Sequence, residues 1–538
     1  KEAVYSVTEL KAGQEYTDLQ RDYVEITQSN ASVNLLGVYA AKFESTKECS
    51  KTSGYGDNVT TTTWTQYAVD DSTLTRLEPD ENGKYHFTAP DDHYVVMEVY
   101  EHSTGATIKY STYNNPDTGY TGYCLDMYNT AGVEEFIRYF EEHVMDDEIT
   151  QLLKEVGGNF FEDNFSYSAK NIWTSSLVDT FNQNCGYDMM DVLPYTLGIP
   201  SNGHSSERNS TGIDLESTAP FVIANDAEYK YNRIRADMID SWASCYLNQH
   251  IATIKEWAEQ TFGMGFRTQT YGGSIDTGLC AANVTVPEGE TIGFSDQFDG
   301  FSMLAAGRDM GGTTSMLTSE FGASFSVGGA YGYAWDDMMK AAYKDYSAGV
   351  NSLVFHGYSY MYSPESQWPG FNAFGNSCSG TWSSRDPQWT QIDELSGNLR
   401  RTQYALQQGV QKTDVAVYES LGNAQGGGPF YDGSSITAQG YSYQLFTPGL
   451  LTMDSAKVTN CVLNENGPAY KAMVIDNETA ISVDAMKKLV EFADNGLALV
   501  FANQLPCIST SYTEDNTEIT ALMDTLLEKE NVIHVDST

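Results

Sequence analysis

The sequence predicts an α/β protein: a (β/α)8 barrel with an N-terminal β-sandwich-like domain and a C-terminal flavodoxin-like α/β domain. Three observations predict it. β-branched and aromatic runs fill the N-terminal part, short apolar runs alternate with helical periods through the middle, and a further strand–helix–strand pattern closes the chain. Domains are expected at 1–118, 119–435 and 436–538, in keeping with ~100–200 residues per domain in a chain of 538.

In the first segment, Val59–Trp64 (VTTTTW) and Tyr94–Tyr100 (YVVMEVY) favour strands, because branching at Cβ crowds a helix and suits a pleated surface. Asn82-Gly83 lies between them and is a hairpin signal. From about Tyr123 the texture changes. Ala131–Val144 has a helical apolar period, and a long helix is expected over Asn232–Phe262, where Ile234, Met238, Trp242 and Cys245 recur at three- and four-residue steps. The short apolar runs Asn159–Phe161, Gly265–Tyr271, Thr291–Phe294, Thr314–Phe321, Ser352–Tyr358 and Asp414–Tyr418 read as barrel strands. Several carry a polar residue at or near the end, where a barrel keeps its chemistry: Asp163, Gln269, Glu320 and His356. Beyond residue 440, Ala472–Ile475, a helix near Val483–Asn495 and Leu497–Phe501 form a last α/β unit.

Composition limits the partners. Thirty Lys+Arg against 73 Asp+Glu leave a net charge of −43. That argues against nucleic acid, whose affinity comes from basic groups neutralising phosphate, and against an anionic membrane surface. With 41% hydrophobic and 12% aromatic residues the chain is no disordered acidic segment. Its longest apolar runs, such as Leu497–Ala502, fall far short of the ~20 residues that span a bilayer. The chain opens at Lys1 without a signal-peptide pattern, so either a leader was removed or a longer parent protein is expected. The eight cysteines are scattered with no CxxC pair, which excludes a paired-cysteine zinc site and leaves mostly free buried thiols as the expectation.

No phosphate loop, dinucleotide fingerprint, HExxH or GxSxG occurs. Carboxylates and aromatics remain, the materials of sugar chemistry. Glycoside cleavage needs one carboxylic acid to protonate the leaving oxygen and a second carboxylate as nucleophile or base. Glu320 ends the run TSMLTSEF and is the first candidate; the alternative is a solvated or capping Glu. Glu162 and Asp163 end GGNFFED, with a helix cap or turn as the plain alternative. Glu288 and Glu290, in PEGE before Thr291, form either an acidic turn or a binding pair for a hard cation or a sugar hydroxyl. His356 and Tyr358 follow the run Leu353–Phe355, and Tyr362, Trp368, Trp382 and Trp389 crowd the next loop, as sugar platforms or as local packing.

The order of these motifs resembles family 106 of the glycoside hydrolases, the α-L-rhamnosidases. The residues that carry it are Phe160–Ser166, Trp173-Thr174, Gly186–Asp188, Leu193-Pro194, Gly265–Gly272, Pro287–Glu290, Ser319-Glu320, Gly349–Tyr358, Trp368–Gly370, Arg400-Arg401 and Gln407–Gly409. The resemblance implies a (β/α)8 barrel, inverting hydrolysis by two glutamates and a calcium ion near the sugar. Glu320 then stands as base, Glu288 and Glu290 hold the cation or the substrate, and Gln269, Tyr271, His356, Tyr358 and Trp368 line the sugar. One departure matters. The family's first acidic motif ends in Glu, whereas here Ser166 stands in its place. Either Glu162 or Asp163 supplies the acid, or it comes from elsewhere, or the chemistry has changed.

The expectation is a secreted or cell-surface glycosidase whose partner is a carbohydrate, an α-L-rhamnoside first, with neither nucleic acid nor membrane insertion. The alternative is a non-catalytic glycan-binding surface protein that has lost its general acid.

Overall fold

The computed structural model describes residues 1–17, 33–53, 60–105, 123–164, 172–198, 219–273, 275–294, 297–324, 329, 331–358, 364, 370–371, 382–420 and 431–536. Contacts sort the chain into two compact units of discontinuous segments: Lys1–Val144, Ser166–Thr253 and Ser509–Asp515 in one, Met145–Phe165, Ile254–Ile508 and Asn516–Thr538 in the other. The expected boundaries at 118/119 and 435/436 fall inside these units.

In the first unit, β1 (Glu2–Leu10), β3 (Val33–Ser53), β4 (Thr60–Val69), β7 (Tyr94–His102) and β9 (Phe221–Ile223) form a sheet in the order β1-β7-β3-β4-β9, with β5 (Thr75–Arg76) beside β3. Every pairing except β4–β9 is antiparallel. The Thr-rich and Val-rich runs are therefore strands as expected, but they flank β3 instead of pairing with each other. The turn at Asn82-Gly83 forms: the Asp80 carboxylate accepts the N–H groups of Asn82 and Lys84, and Gly83 takes φ +74°, open to glycine.

The expected sandwich is corrected. Along β3, Val38 and Ala40 pack with Leu10, Tyr16, Val96 and Phe87 under a small ribbon, β2 (Glu15–Tyr16) with β6 (Phe87–Thr88). On the other face Tyr39 donates its hydroxyl to Met190 O, 2.6 Å away, at the helix Met189–Thr196. That helix occupies the side where a second sheet would lie. The long helix runs as Lys230–Cys245, a π-helical Tyr246–Ile251 and Ala252–Phe262, with Ile234, Met238, Trp242 and Cys245 buried as their spacing predicts.

The second unit holds two parallel sheets. The first has β8 (Asn159–Glu162), β10 (Gly265–Gln269), β11 (Val286–Glu290), β12 (Thr318–Phe321) and β13 (Ser352–Phe355) side by side in that order. Helices Thr277–Asn283, Phe298–Gly311 and Trp335–Ser347 separate the last four. An eight-stranded closure is not formed among the described residues; five parallel strands are. Two strand assignments change. The strand lies at Val286–Glu290 itself, and Thr291–Phe294 is the turn after it. Val415–Tyr418 leaves the barrel and becomes β14 of the second sheet.

That second sheet is β14 with β15 (Tyr443–Phe446), β18 (Ala472–Asp476), β19 (Ala498–Ala502) and β20 (Val532–Val535), ordered β15-β14-β18-β19-β20 and wholly parallel. In order of appearance this is 2-1-3-4-5, the flavodoxin-like arrangement. A short hairpin, β16 (Val458–Thr459) with β17 (Val462–Leu463), precedes β18. Helix Phe298–Gly311 is buried along nearly its whole length: Phe301 and Leu304 join one core with Leu445, Val417 and Val474, and the Ser302 hydroxyl accepts the Leu445 N–H at 3.1 Å. A helix covered all round lacks an amphipathic stripe, and FDGFSMLAAGRDMG has none.

Candidate active site

Parallel partners in register share a face of the sheet, and residues two apart along a strand share it too. Gln269 pairs with Glu288 and Glu288 with Thr318; Glu290 pairs with Glu320 and Glu320 with Val354. One face therefore carries Arg267 and Gln269 on β10, Glu288 and Glu290 on β11, and Thr318 and Glu320 on β12. Gly289, between the two glutamates, faces away, where a Cβ would come within 2.6 Å of Phe294 and Phe301. It is there because the helix side packs too closely for any side chain, and not to make a turn.

The side chains converge at the C-terminal strand ends. The Gln269 amide donates to Glu320 Oε2 at 2.6 Å and lies 3.4 Å from Glu288 Oε1. The Tyr271 hydroxyl lies 2.8 Å from Gln269 Oε1 and 2.6 Å from Glu290 Oε2. Thr318 donates its hydroxyl to Glu288 Oε2 at 2.6 Å, and Arg267 Nε stands 3.3 Å from the same oxygen. The Arg267 guanidinium also lies 4.5 Å over the Phe161 ring. His356 Nε2 is 3.9 Å from Glu320 Oε1.

Burial pushes the Glu290 carboxyl up to about 7; Tyr271 pulls it down, and the charges of Glu320, Asp163 and Glu288 add to the rise. Burial also raises Glu320, against the pull of the Gln269 hydrogen bond and of His356, with Asp163 and Glu288 adding to the rise. Tyr271 is raised far above its ordinary range by burial and the Glu290 charge. Three carboxylates so close together cannot all ionise freely.

The predicted residues divide. Glu320, Glu290, Glu288, Gln269, Tyr271 and His356 come together, and the Asp163 charge reaches Glu290, Glu320 and Tyr271. Glu162 pairs in register with Thr268, one residue out of step with Gln269, and so lies on the opposite face from Glu320. Gln269 and Tyr271, expected to line the sugar, are fully buried and hydrogen-bonded to the carboxylates. Tyr358 is 67% exposed, its ring 6.5 Å from that of Trp389. Trp382 is core, stacked 5.8 Å from Trp335. Trp368, Tyr362 and Ser166 lie outside the described residues. Arg267 and Thr318 were missed, although the alternation Arg267, Gln269, Tyr271 already places Arg267 on the site's face.

Calcium needs oxygen ligands with lone pairs to spare. Glu288 faces a guanidinium, a hydroxyl and an amide donor, and does not fit that role. Glu290 is engaged by Tyr271. Among the described residues no group of three or more His, Cys, Asp or Glu is arranged to hold a metal ion, and no helix is long and apolar enough to cross a membrane. The described cysteines are free thiols, but of these only Cys245 and Cys280 are buried, where mostly buried thiols were expected.

Carboxylates gathered at the C-terminal ends of a curled parallel sheet form an acidic mouth at the place where barrel-type folds keep their active sites. Residues 315–537, which include Glu320 and His356, match the family described as α-L-rhamnosidase. The structure is similar to a rhamnosidase from Novosphingobium sp. PP1Y, with a TM-score of 0.71 at 13% identity over 99% of this chain and 63% of that one. The chain thus spans 63% of that protein's length. Weaker likenesses are to a β-galactosidase from Rahnella sp. R3 (TM-score 0.45, 10% identity, 72% of this chain and 56% of that one) and one from Halorubrum lacusprofundi (TM-score 0.45, 10% identity, 74% and 61%). No curated protein matches the chain.

Proposed function

We propose that this chain is the catalytic part of a glycoside hydrolase that cleaves a terminal sugar, an α-L-rhamnoside, using Glu320 and Glu290. The observation that carries the reading is the register of these two glutamates: they stand abreast on neighbouring strands, at the sheet end where barrel enzymes keep their chemistry. Their surroundings differ. Glu320 accepts an amide hydrogen and faces His356, both of which favour its ionised form. Glu290, with its carboxyl near 7, keeps a proton to give. Glu290 would protonate the glycosidic oxygen as the bond to the anomeric carbon breaks, while Glu320 takes a proton from the attacking water. This is the inverting scheme that the sequence resemblance implies, and in it the carboxylates stand ~6.5–9.5 Å apart. The family match over the segment holding Glu320 supports the sugar assignment. A secreted or surface location belongs to the same proposal, because such rhamnosides occur in plant and host glycans.

A panel of aryl glycosides with wild type, Glu320→Gln and Glu290→Gln tests it. Turnover of the α-L-rhamnoside by wild type, lowered ~10²–10⁴-fold in both variants, is the expected result. Sugar binding without turnover in all three proteins would favour a glycan-binding protein instead.

A further inference from the structure

We propose that Tyr271 and Gln269 act as positioning residues, a two-link relay that couples the protonation state of Glu290 to that of Glu320 and keeps Glu320 ionised. The inference rests on the acid and base roles just proposed. Its warrant is donor counting. Among the described residues the Gln269 amide nitrogen faces two acceptors, Glu320 Oε2 and Glu288 Oε1, so its NH₂ group points there and Oε1 points to Tyr271. Oε1 can only accept. Gln269 and Tyr271 are 0% and 2% exposed, so no bulk water reaches that oxygen, and a buried acceptor left unmet costs free energy. Tyr271 has one hydroxyl hydrogen for two neighbours, Gln269 Oε1 and Glu290 Oε2.

Only one arrangement satisfies every member. Glu290 carries a proton and donates it to the Tyr271 oxygen, Tyr271 donates to Gln269 Oε1, and Gln269 donates to an ionised Glu320. When the Glu290 O–H turns from Tyr271 and gives its proton to the glycosidic oxygen, the Tyr271 hydrogen turns to Glu290 Oε2 and meets the new charge. Within the relay only that O–H bond breaks, and its proton leaves on the departing oxygen. The two carboxyls are thereby linked through three hydrogen bonds, in addition to the direct effect of the Glu320 charge on Glu290.

The test is the pH profile of kcat/KM for wild type, Tyr271→Phe and Gln269→Met. Phenylalanine removes the donor that stabilises ionised Glu290, so the alkaline limb should rise by about one pH unit. Methionine removes the donor to Glu320, so the acidic limb should rise by a similar amount, about one unit. A fall in kcat with both limbs unmoved would make the two residues structural and overturn the relay. If a variant does not fold, carboxyl titration of the wild type by ¹³C NMR decides: Glu290 must titrate above Glu320, and the reverse order overturns the relay. Failure of the underlying function is a separate outcome, seen as no turnover by wild type or no loss in Glu320→Gln.

Discussion

Gln269 on β10 donates to Glu320 on β12 across 2.6 Å, reaching over the whole of β11. In a flat sheet, strands two apart lie ~9.5 Å from each other. An amide meets a carboxylate over that span only where the sheet curls and inward side chains converge. The curl is thus what turns five parallel strands into a site.

The Glu290 carboxyl near 7 ties activity and stability to the same pH window. As the general acid it must hold its proton, so kcat/KM should fall as pH rises through about 7. In the unfolded chain a glutamate titrates near ~4.3. Between those two values the folded state alone keeps the proton, so stability declines as pH rises through the window and levels off above it. Urea unfolding at about pH 5 and pH 8 should show wild type losing roughly 2–3 kcal/mol relative to Glu290→Gln. Parallel curves for the two proteins would contradict the buried, protonated state.

Among the described residues, Arg267 is the one cation seen beside Glu288, which is 1% exposed. Arg267→Met should therefore cost ~3 kcal/mol, because it leaves a buried charge without its partner. Adding Glu288→Gln removes that charge, and the double variant should recover most of the loss. A double variant no more stable than Arg267→Met would show that the guanidinium contributes through Phe161 and not through the ion pair. Denaturant midpoints of wild type, Arg267→Met, Glu288→Gln and the double variant decide this.

Gly289 predicts the reverse kind of damage. A methyl group there meets Phe294, Phe301 and Leu304 closer than real carbons pack. Gly289→Ala should cost ~1–3 kcal/mol through overpacking. It should also lower kcat, because β11 shifts with Glu288 and Glu290 on its other face, and a misplacement of ~1 Å can cost ~10²-fold. Unfolding midpoints and kcat on the same preparation check both.

What the chain's letters reveal follows from what is local. Strand positions were legible wherever alternation or β-branching was strong, as in Gly265–Tyr271 and Tyr94–Tyr100. Pro287 and Gly289 hid a strand, because both residues punctuate turns far more often than they pave a buried sheet. Val415–Tyr418 has the same texture in either parallel sheet, so its membership of the second was settled by tertiary packing. Gln269 and Tyr271 were expected at the sugar, and their depth beneath the carboxylates was not legible. Alternation tells which face a side chain takes, and not how deep below the mouth it sits. Glu162 and Asp163 differ by a single step in register, too fine a distinction for sequence reasoning.

The helix Phe298–Gly311, sealed between two parallel sheets, sets a limit on how this molecule can be taken apart. Cutting the chain near 435 would bare one flank of a helix that has no polar side to present, with Phe301 and Leu304 losing Leu445 and Val417 as neighbours. The carboxylate-bearing sheet and its flavodoxin-like companion should therefore melt in a single transition and be inherited as one piece. A border that looks natural on paper runs through the middle of their common core.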